Sequence, residues 1–124
     1  MFSFDPLSLP RARRVVRSAE FRQVYQDGTR VTSRFFVAFC LRSGESTDLS
    51  RFGFTVPRAL GKAVQRNRIR RRLRETVRSE FASLPAGWVI VFNPRRTVLD
   101  APFGELRREV NRVFTRCKES LSVS

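Results

Sequence analysis

Residues 58–78 limit the possible folds of this chain more than any other segment does. This arginine-rich segment holds nine basic residues and one acid, and it contributes +8 of the chain's net charge of +14. Its apolar residues at helical spacing are Ile69, Leu73 and Val77, which fall on one stripe of an α-helix. We therefore predict a helix from about residue 62 to residue 81, packed on a sheet through this stripe and basic around its remaining sides.

The charge of this segment predicts a polyanionic partner. Arginines four residues apart, such as Arg66 and Arg70, repel one another and destabilise an isolated helix by about 0.2–0.5 kcal/mol per pair. A solvated helix that only keeps a protein soluble would mix both signs of charge. Arginine also supplies 23 of the 25 basic residues, and its planar guanidinium makes paired contacts with phosphate oxygens. Nucleic acid is favoured over an anionic membrane, although charge alone does not choose between RNA and DNA.

The composition excludes several classes of enzyme and site. The chain has no histidine, which removes Ser-His-Asp and Cys-His catalysis and any zinc site that needs imidazole. Its 11 acidic residues are scattered, so we expect neither a catalytic nor a metal site made by protein side chains. Cys40 and Cys117 lie within apolar patterns, which predicts reduced core cysteines of a cytosolic protein. The longest apolar run, residues 35–41, is far too short to span a membrane.

The length of 124 residues predicts one small domain. Residues 1–10 contain two prolines and no hydrophobic periodicity, which predicts a flexible N-terminal arm ahead of a domain at residues 11–124. This arm has no basic stretch before an apolar one, so it is not typical of a secretory signal.

Two further helices are predicted around the strands. A short helix begins near Ser18 and carries Phe21 and Tyr25 four residues apart on one face, while Gly28 suits the position just after its end. The last helix has an apolar stripe at 3.6-residue spacing. That helix begins near Asp100, and its stripe consists of Phe103, Leu106, Val110, Val113, Phe114, Cys117 and Leu121.

Three apolar segments, residues 34–42, 51–56 and 88–92, predict strands. In the first, Phe35, Val37, Phe39 and Leu41 point one way, and Phe36, Ala38 and Cys40 point the other way. Apolar residues on both faces indicate that both faces are covered or that one is a functional apolar surface. The other two strands are joined by the arginine-rich helix, which favours a parallel arrangement. The fold class is thus α/β: a two-layer sandwich with two long helices on one face of a sheet and the short helix on the other.

The segment at residues 51–75 resembles the protein subunit of bacterial ribonuclease P. Its strand reads RFGFTV at residues 51–56, and GKAVQRNRIRRRLRE follows at residues 61–75, with the RNR signature of that family at residues 66–68. The family's first helix and turn are matched by Glu20-Phe21, Val24-Tyr25, Gly28 and Arg30. The resemblance covers roughly residues 11–119, in the family's order and spacing.

The resemblance implies a ribosomal-S5-domain-2-like fold with the order α-β-β-β-α-β-α and a left-handed βαβ crossover through the arginine-rich helix. It implies that a partner RNA is the catalyst and cleaves the 5′ leader from precursor tRNA, with Mg²⁺ bound mainly by the RNA. Residues 11–124 would form a single RNA-binding domain that holds this catalytic RNA and grips the leader. The implied assembly is a cytoplasmic complex of one protein with one RNA.

The resemblance also implies two sets of site residues, carried over position by position. Those facing the catalytic RNA would be Arg58, Lys62, Arg66, Asn67, Arg68, Arg70, Arg71 and Arg74. Those lining a leader-binding cleft would be Phe21, Tyr25, Val37 and Phe39. The residue pattern agrees, because two rings on one helical face and two side chains on one strand face suit single-stranded RNA, which binds by stacking. The chain departs from the family at Ala59, where a second basic residue is usual.

Two other functions remain open at the level of sequence. A structural ribosomal or ribosomal-RNA-binding protein would share the implied fold, but it would not need the Phe21, Tyr25, Val37 and Phe39 surface. A basic DNA-binding protein is ranked last, because the chain lacks helix-turn-helix spacing and its arginine-rich helix lies inside an α/β crossover.

Overall fold

A computed structural model describes residues 18–42, 50–84 and 86–122 of the chain. The helices are α1 (Ser18–Asp27), α2 (Ala63–Glu80) and α3 (Phe103–Ser122), and the strands are β1 (Thr29–Thr32), β2 (Phe36–Arg42), β3 (Arg51–Phe54) and β4 (Trp88–Pro94). Short 3₁₀ turns occupy Arg58–Leu60, Phe81–Ser83 and Arg96–Asp100. The expected order α-β-β-β-α-β-α is confirmed. The N-terminal arm predicted at residues 1–10 lies outside the described residues.

The four strands form one mixed sheet in the order β1-β2-β4-β3. β2 is antiparallel to both β1 and β4. β3 is parallel to β4 and adjacent to it, with Arg51 opposite Val89 and Phe54 opposite Phe92. The parallel arrangement predicted for these two strands is therefore confirmed, and α2 makes the crossover between them. The left-handed sense of this crossover stays an expectation of the resemblance.

The main core lies between one face of the sheet and the two long helices. α2 contributes the predicted stripe of Ile69, Leu73 and Val77, each with no exposed surface. Facing it across the core are Phe36, Phe52, Ile90 and Phe92 from the sheet and Leu106, Val110, Val113 and Phe114 from α3. Each such side chain stabilises the fold by about 1.5–3 kcal/mol through removal from water. The two-layer arrangement predicted from the sequence is confirmed.

The opposite face of the sheet is covered by α1, which packs on β2 and β4. Val24 of α1 is buried against Val89 and Val91 of β4, and we call these three residues the α1 cluster. The cluster is small, so the side chains at its border are only half-buried. The face of β2 turned toward α1 is therefore only partly covered, which agrees with the alternative that it is a functional apolar surface.

Four element boundaries differ from the sequence-based prediction, one of them that of β3, which ends at Phe54 rather than at residue 56. β2 begins at Phe36 rather than at residue 34, because Ser33 N–H donates to the Phe36 carbonyl at 2.8 Å and makes a tight turn. This turn breaks the alternation, so Phe35 joins the main core and the prediction that it shares a face with Val37 is wrong. The pattern also missed β1, which has a single buried residue, Val31.

The other two differences concern β4 and α3. β4 was predicted to stop at residue 92 but continues through Asn93 to Pro94, which pairs with Phe36 at the end of the ladder. α3 begins at Phe103 rather than near Asp100, because a 3₁₀ turn comes first and Pro102 disfavours helix at the residue before it. None of the helices in the described ranges is long and apolar enough to cross a bilayer.

Gly28 has a different role from the one predicted. It follows α1 directly, but its φ is not in the left-handed region expected for a glycine at that position. A Cβ atom there would lie 2.5 Å from the Val24 carbonyl oxygen and 3.2 Å from that of Cys40. Glycine is needed mainly because the chain stays close to the Val24 carbonyl as it leaves α1, and the Cys40 carbonyl of β2 is also near.

Candidate nucleic-acid interface

α2 presents a line of polar side chains on the side turned away from the main core. Asn67, Arg68 and Arg71 are exposed, and Arg71 lies one helical turn beyond the adjacent residues Asn67 and Arg68. Val64 continues this line toward the N-terminus with 80% of its surface exposed. Three of the eight residues predicted to face RNA therefore share one continuous surface of the helix.

The turn before α2 orients Arg66. Gly61 has a φ of +135°, which residues with a Cβ atom rarely adopt. The side chain of Gln65 folds back over this turn and accepts a hydrogen bond from the Lys62 N–H at 3.0 Å. Nε of Arg66 then donates to the Gly61 carbonyl at 3.2 Å. Arg66 is thus held half-buried at the edge of the helix, and Lys62 stays exposed.

Neighbours on α2 orient two more arginines. Nη1 of Arg70 donates to Oδ1 of Asn67 at 2.9 Å, and Nε of Arg71 donates to Oε1 of Glu75 at 3.1 Å. Each bond uses one of the five N–H groups of a guanidinium, so the others remain available for phosphate oxygens. Arg68 is exposed and forms no hydrogen bond or ion pair with the described residues.

The remaining basic residues of the segment divide between interface and scaffold. Nη2 of Arg72 donates to the backbone carbonyl of Ala101, so this arginine ties α2 to the segment before α3. Arg74 is half-buried, four residues beyond Arg70 on the same edge of the helix. Arg58 is exposed in the turn between β3 and α2. The predicted RNA-facing residues therefore occupy an exposed line, a half-buried edge and the turn that leads into the helix.

The aromatic residues predicted to line a cleft lie on the opposite layer, beside α1. Phe21, Tyr25 and Phe39 are half-buried against the α1 cluster. The rings of Tyr25 and Phe39 meet edge to face, with centroids 4.9 Å apart and planes at 88°. Val37 is half-buried on the same face of β2, but it does not pack against the cluster, where Leu41 does. Val37 lies opposite Asn93 in the β2–β4 ladder, so the structure places all four predicted cleft residues on this side of the sheet.

Two polar contacts of this cleft were not anticipated from the sequence. The Tyr25 hydroxyl lies 2.7 Å from Oγ1 of Thr55 and 2.8 Å from Oδ1 of Asn93. We call Tyr25, Thr55 and Asn93 the polar triad. The usable signal was strand alternation: continued past residue 92, it places Asn93 on the same face as Val89 and Val91. The strand predicted at residues 88–92 stops one residue before Asn93.

An ion pair marks the other end of the cleft. Nη1 of Arg51 on β3 lies 2.9 Å from the carboxylate of Glu20 on α1. Both side chains are about one-third exposed or less. α1 is therefore attached to the sheet at both ends, by this ion pair and by the polar triad.

Other titratable groups show no catalytic arrangement within the described residues. No three Cys, Asp or Glu side chains there converge to form a metal site. Cys40 and Cys117 are both buried free thiols. The pKa of Cys40 is raised far above its ordinary value by the hydrogen bond with Cys117 and by burial, which keeps this thiol protonated and unreactive.

A basic α/β protein with an oriented arginine helix on one layer and an aromatic cleft on the other belongs to the class of RNA-binding proteins. The family model for ribonuclease P matches residues 9–118. The ribonuclease P protein component of Symbiobacterium thermophilum is 41% identical over 108 residues, which cover 87% of this chain and 93% of that protein. The chain belongs to the family of bacterial ribonuclease P protein components. It is the protein subunit of an endoribonuclease of tRNA processing, in which the RNA subunit is the catalyst.

Solved structures of the family have the same fold. The ribonuclease P protein of Staphylococcus aureus superposes with a TM-score of 0.72 at 27% identity, covering 86% of this chain and 95% of that one. The protein from Thermotoga maritima gives a TM-score of 0.72 at 28% identity, covering 83% and 96% of the two chains. The matches extend over nearly the whole of each structure, so the fold described above is that of the family.

Proposed function

We propose that α2 binds the catalytic RNA of ribonuclease P and that the cleft beside α1 binds the 5′ leader of precursor tRNA. The observation that carries the proposal is the group of aromatic rings of Phe21, Tyr25 and Phe39. These rings are half-buried in a cleft beside α1, and α1 is attached to the sheet at both of its ends. A protein that only supports the structure of an RNA would not need such a surface.

The contacts of α2 support its assignment to the catalytic RNA. Structured RNA presents its phosphates along a rigid surface, and a helix that holds its guanidinium groups in place loses little side-chain entropy on binding. Arg66 and Arg70 are already held by hydrogen bonds to Gly61 and Asn67. Arg68 is exposed and unpaired among the described residues, so it is the strongest single candidate for a phosphate contact.

The cleft suits a flexible single strand. Bases that are not paired stack on aromatic rings, and each such contact is worth about 1–3 kcal/mol by alanine substitution. The 5′ leader is the part of precursor tRNA that mature tRNA lacks, so binding in the cleft would favour substrate over product. The protein then supports 5′ maturation by positioning the substrate, while the RNA performs the cleavage.

Three further features complete the proposal. Mg²⁺ is bound mainly by the RNA, whose phosphates supply the oxygen ligands that this ion prefers. Residues 11–124 act as a single RNA-binding domain, present as one protein monomer for each RNA. The complex works in the cytoplasm, where precursor tRNA is made in bacteria.

The test uses the holoenzyme reconstituted from the full chain and its catalytic RNA. Phe39→Ala is expected to weaken binding of precursor tRNA by about fivefold or more and to leave mature tRNA within about twofold of the wild type. Phe103→Ala is the matched control, because this ring is 40% exposed on α3 and lies away from the cleft. Equal losses for both substrates would show that the cleft rings only stabilise the fold. Ribosomal RNA as the main bound species in cells would favour the structural alternative.

A further inference from the structure

The polar triad lies at the sheet edge where two parallel strands end. β3 and β4 run in the same direction, so Thr55 after β3 and Asn93 near the end of β4 come to the same edge. Tyr25 reaches this edge from α1 and joins the two side chains. Arg58 and Arg95 follow these strands and are both exposed. Polar side chains that can bond to a base are thus flanked by cations that can bind phosphate.

The hydrogen-bond directions within the triad follow from counting protons. Tyr25 has one hydroxyl proton, and Oδ1 of Asn93 can only accept, so Tyr25 donates to Asn93. The short contact with Thr55 must then use the Thr55 proton, with the Tyr25 oxygen as acceptor. Each of these two bonds has a fixed direction as a result.

The same count shows what the triad still offers to a ligand. With Oδ1 of Asn93 held by Tyr25, the amide NH₂ is left without a hydrogen-bond partner among the described residues. The Thr55 hydroxyl uses its one proton in the bond that it donates to Tyr25, so its oxygen can only accept a further bond. The triad therefore presents a donor beside an acceptor in a fixed arrangement. The edges of nucleobases carry the complementary pattern of an acceptor beside a donor.

We propose that Asn93, positioned by Tyr25 and assisted by Thr55, reads the identity of one leader nucleotide through the edge of its base. This inference rests on the proposed binding of the leader in the cleft. The aromatic rings of the cleft bind any base by its face, so they supply affinity without selectivity. The triad adds the selectivity that stacking lacks. Asn93 is a specificity-determining residue, and Tyr25 is a positioning residue for it as well as a stacking ring.

The experiment measures base preference in competition. Holoenzyme is given a pool of precursor tRNAs with randomised leader nucleotides, and relative cleavage rates are read by sequencing. The wild type is expected to favour one base at a single leader position by about fivefold or more, as paired hydrogen bonds to a base do. Asn93→Asp keeps the oxygen that accepts from Tyr25 but replaces the NH₂ donor with an acceptor. This variant is expected to change the preferred base or to reduce the preference below about twofold.

The matched control is Gln23→Glu, which makes the same change from amide to carboxylate on the exposed side of α1. It is expected to keep the wild-type profile, and any general repulsion of RNA by the added charge cancels because rates are compared within each variant. A second readout is the ratio of precursor to mature tRNA affinity. If the wild type binds both equally, the proposed leader binding fails and the inference fails with it. If the wild type favours precursor tRNA but Asn93→Asp keeps its base profile, the inference alone is overturned.

Discussion

Nη1 of Arg51 on β3 lies 2.9 Å from the carboxylate of Glu20 on α1, across 31 residues of sequence. This ion pair attaches the start of α1 to the sheet, and the polar triad attaches its end. The spacing from Arg51 to Thr55 along the strand direction is about 13 Å. The cleft is therefore a fixed surface, bounded by one contact at each end of a short helix.

The Glu20–Arg51 pair is expected to stabilise the docking of α1. A double-mutant cycle of Glu20→Gln and Arg51→Ala should give a coupling free energy of about 0.5–1 kcal/mol in urea unfolding, since the pair is partly shielded from water. The Arg34–Glu105 pair is the control, because its side chains are 66% and 39% exposed, and its coupling should be smaller. Equal coupling for the two pairs would show that Glu20–Arg51 has no special role.

Tyr25→Phe separates the hydroxyl of this residue from its ring. Loss of the hydroxyl leaves Asn93 and Thr55 without their shared partner, which should lower the free energy of unfolding by about 1 kcal/mol. The ring still stacks, so the affinity of the holoenzyme for precursor tRNA should fall less than in Tyr25→Ala. Equal loss of affinity in the two variants, measured by equilibrium binding, would argue against stacking by this ring.

Arg68→Ala should reduce the salt dependence of binding to the catalytic RNA. A lost phosphate contact lowers the slope of log K against log salt by about 1. Arg108→Ala removes the same charge from an exposed position on α3, and its slope should remain that of the wild type. A slope that falls equally in both variants would mean that net charge, and not the surface of α2, governs assembly.

Gly61→Ala should destabilise the start of α2. The φ of +135° is unfavourable for alanine, and a Cβ atom would lie 2.2 Å from Oε1 of Gln65, which would displace the side chain that caps the helix. We expect a loss of at least about 1 kcal/mol in thermal or urea unfolding. Gly104→Ala is the matched control, because its Cβ would have no neighbour within 4 Å, and it should raise stability by about 0.4–1 kcal/mol. The two changes having the same sign would contradict this account.

The thiol of Cys40 predicts a loss of stability at alkaline pH. Its pKa is raised by the hydrogen bond with Cys117 and by burial, so the folded protein keeps the proton where the unfolded chain releases it. The contribution of the protonated Cys40 thiol to the free energy of unfolding is complete below the pKa of the unfolded chain, about 8.5. It is lost progressively as the pH rises above that value. The free energy of unfolding should fall from about pH 8 to about pH 10, and less steeply in Cys40→Ala. Labelling of Cys40 by a thiol reagent in the native state at neutral pH would contradict this burial.

Arginines that look alike in the sequence have different roles in the structure. The sequence places Arg68, Arg71 and Arg72 on one basic helix, but only tertiary contacts separate them. Arg68 is exposed, whereas Arg72 donates to the Ala101 carbonyl and holds the segment before α3. A helical wheel shows the direction of a side chain and not the neighbouring backbone that it meets, so the structural role of Arg72 was not predictable.

The sequence by itself determined the class of fold, the parallel pair of strands and most of the core, because hydrophobic periodicity is a local property of the chain. It also indicated the family, since the block at residues 51–75 is contiguous. Only the tertiary structure decided which polar groups meet in the cleft. Tyr25, Thr55 and Asn93 are joined across up to 68 residues, and Glu20 and Arg51 across 31. Such contacts depend on the register and direction of packed elements, which no local pattern contains.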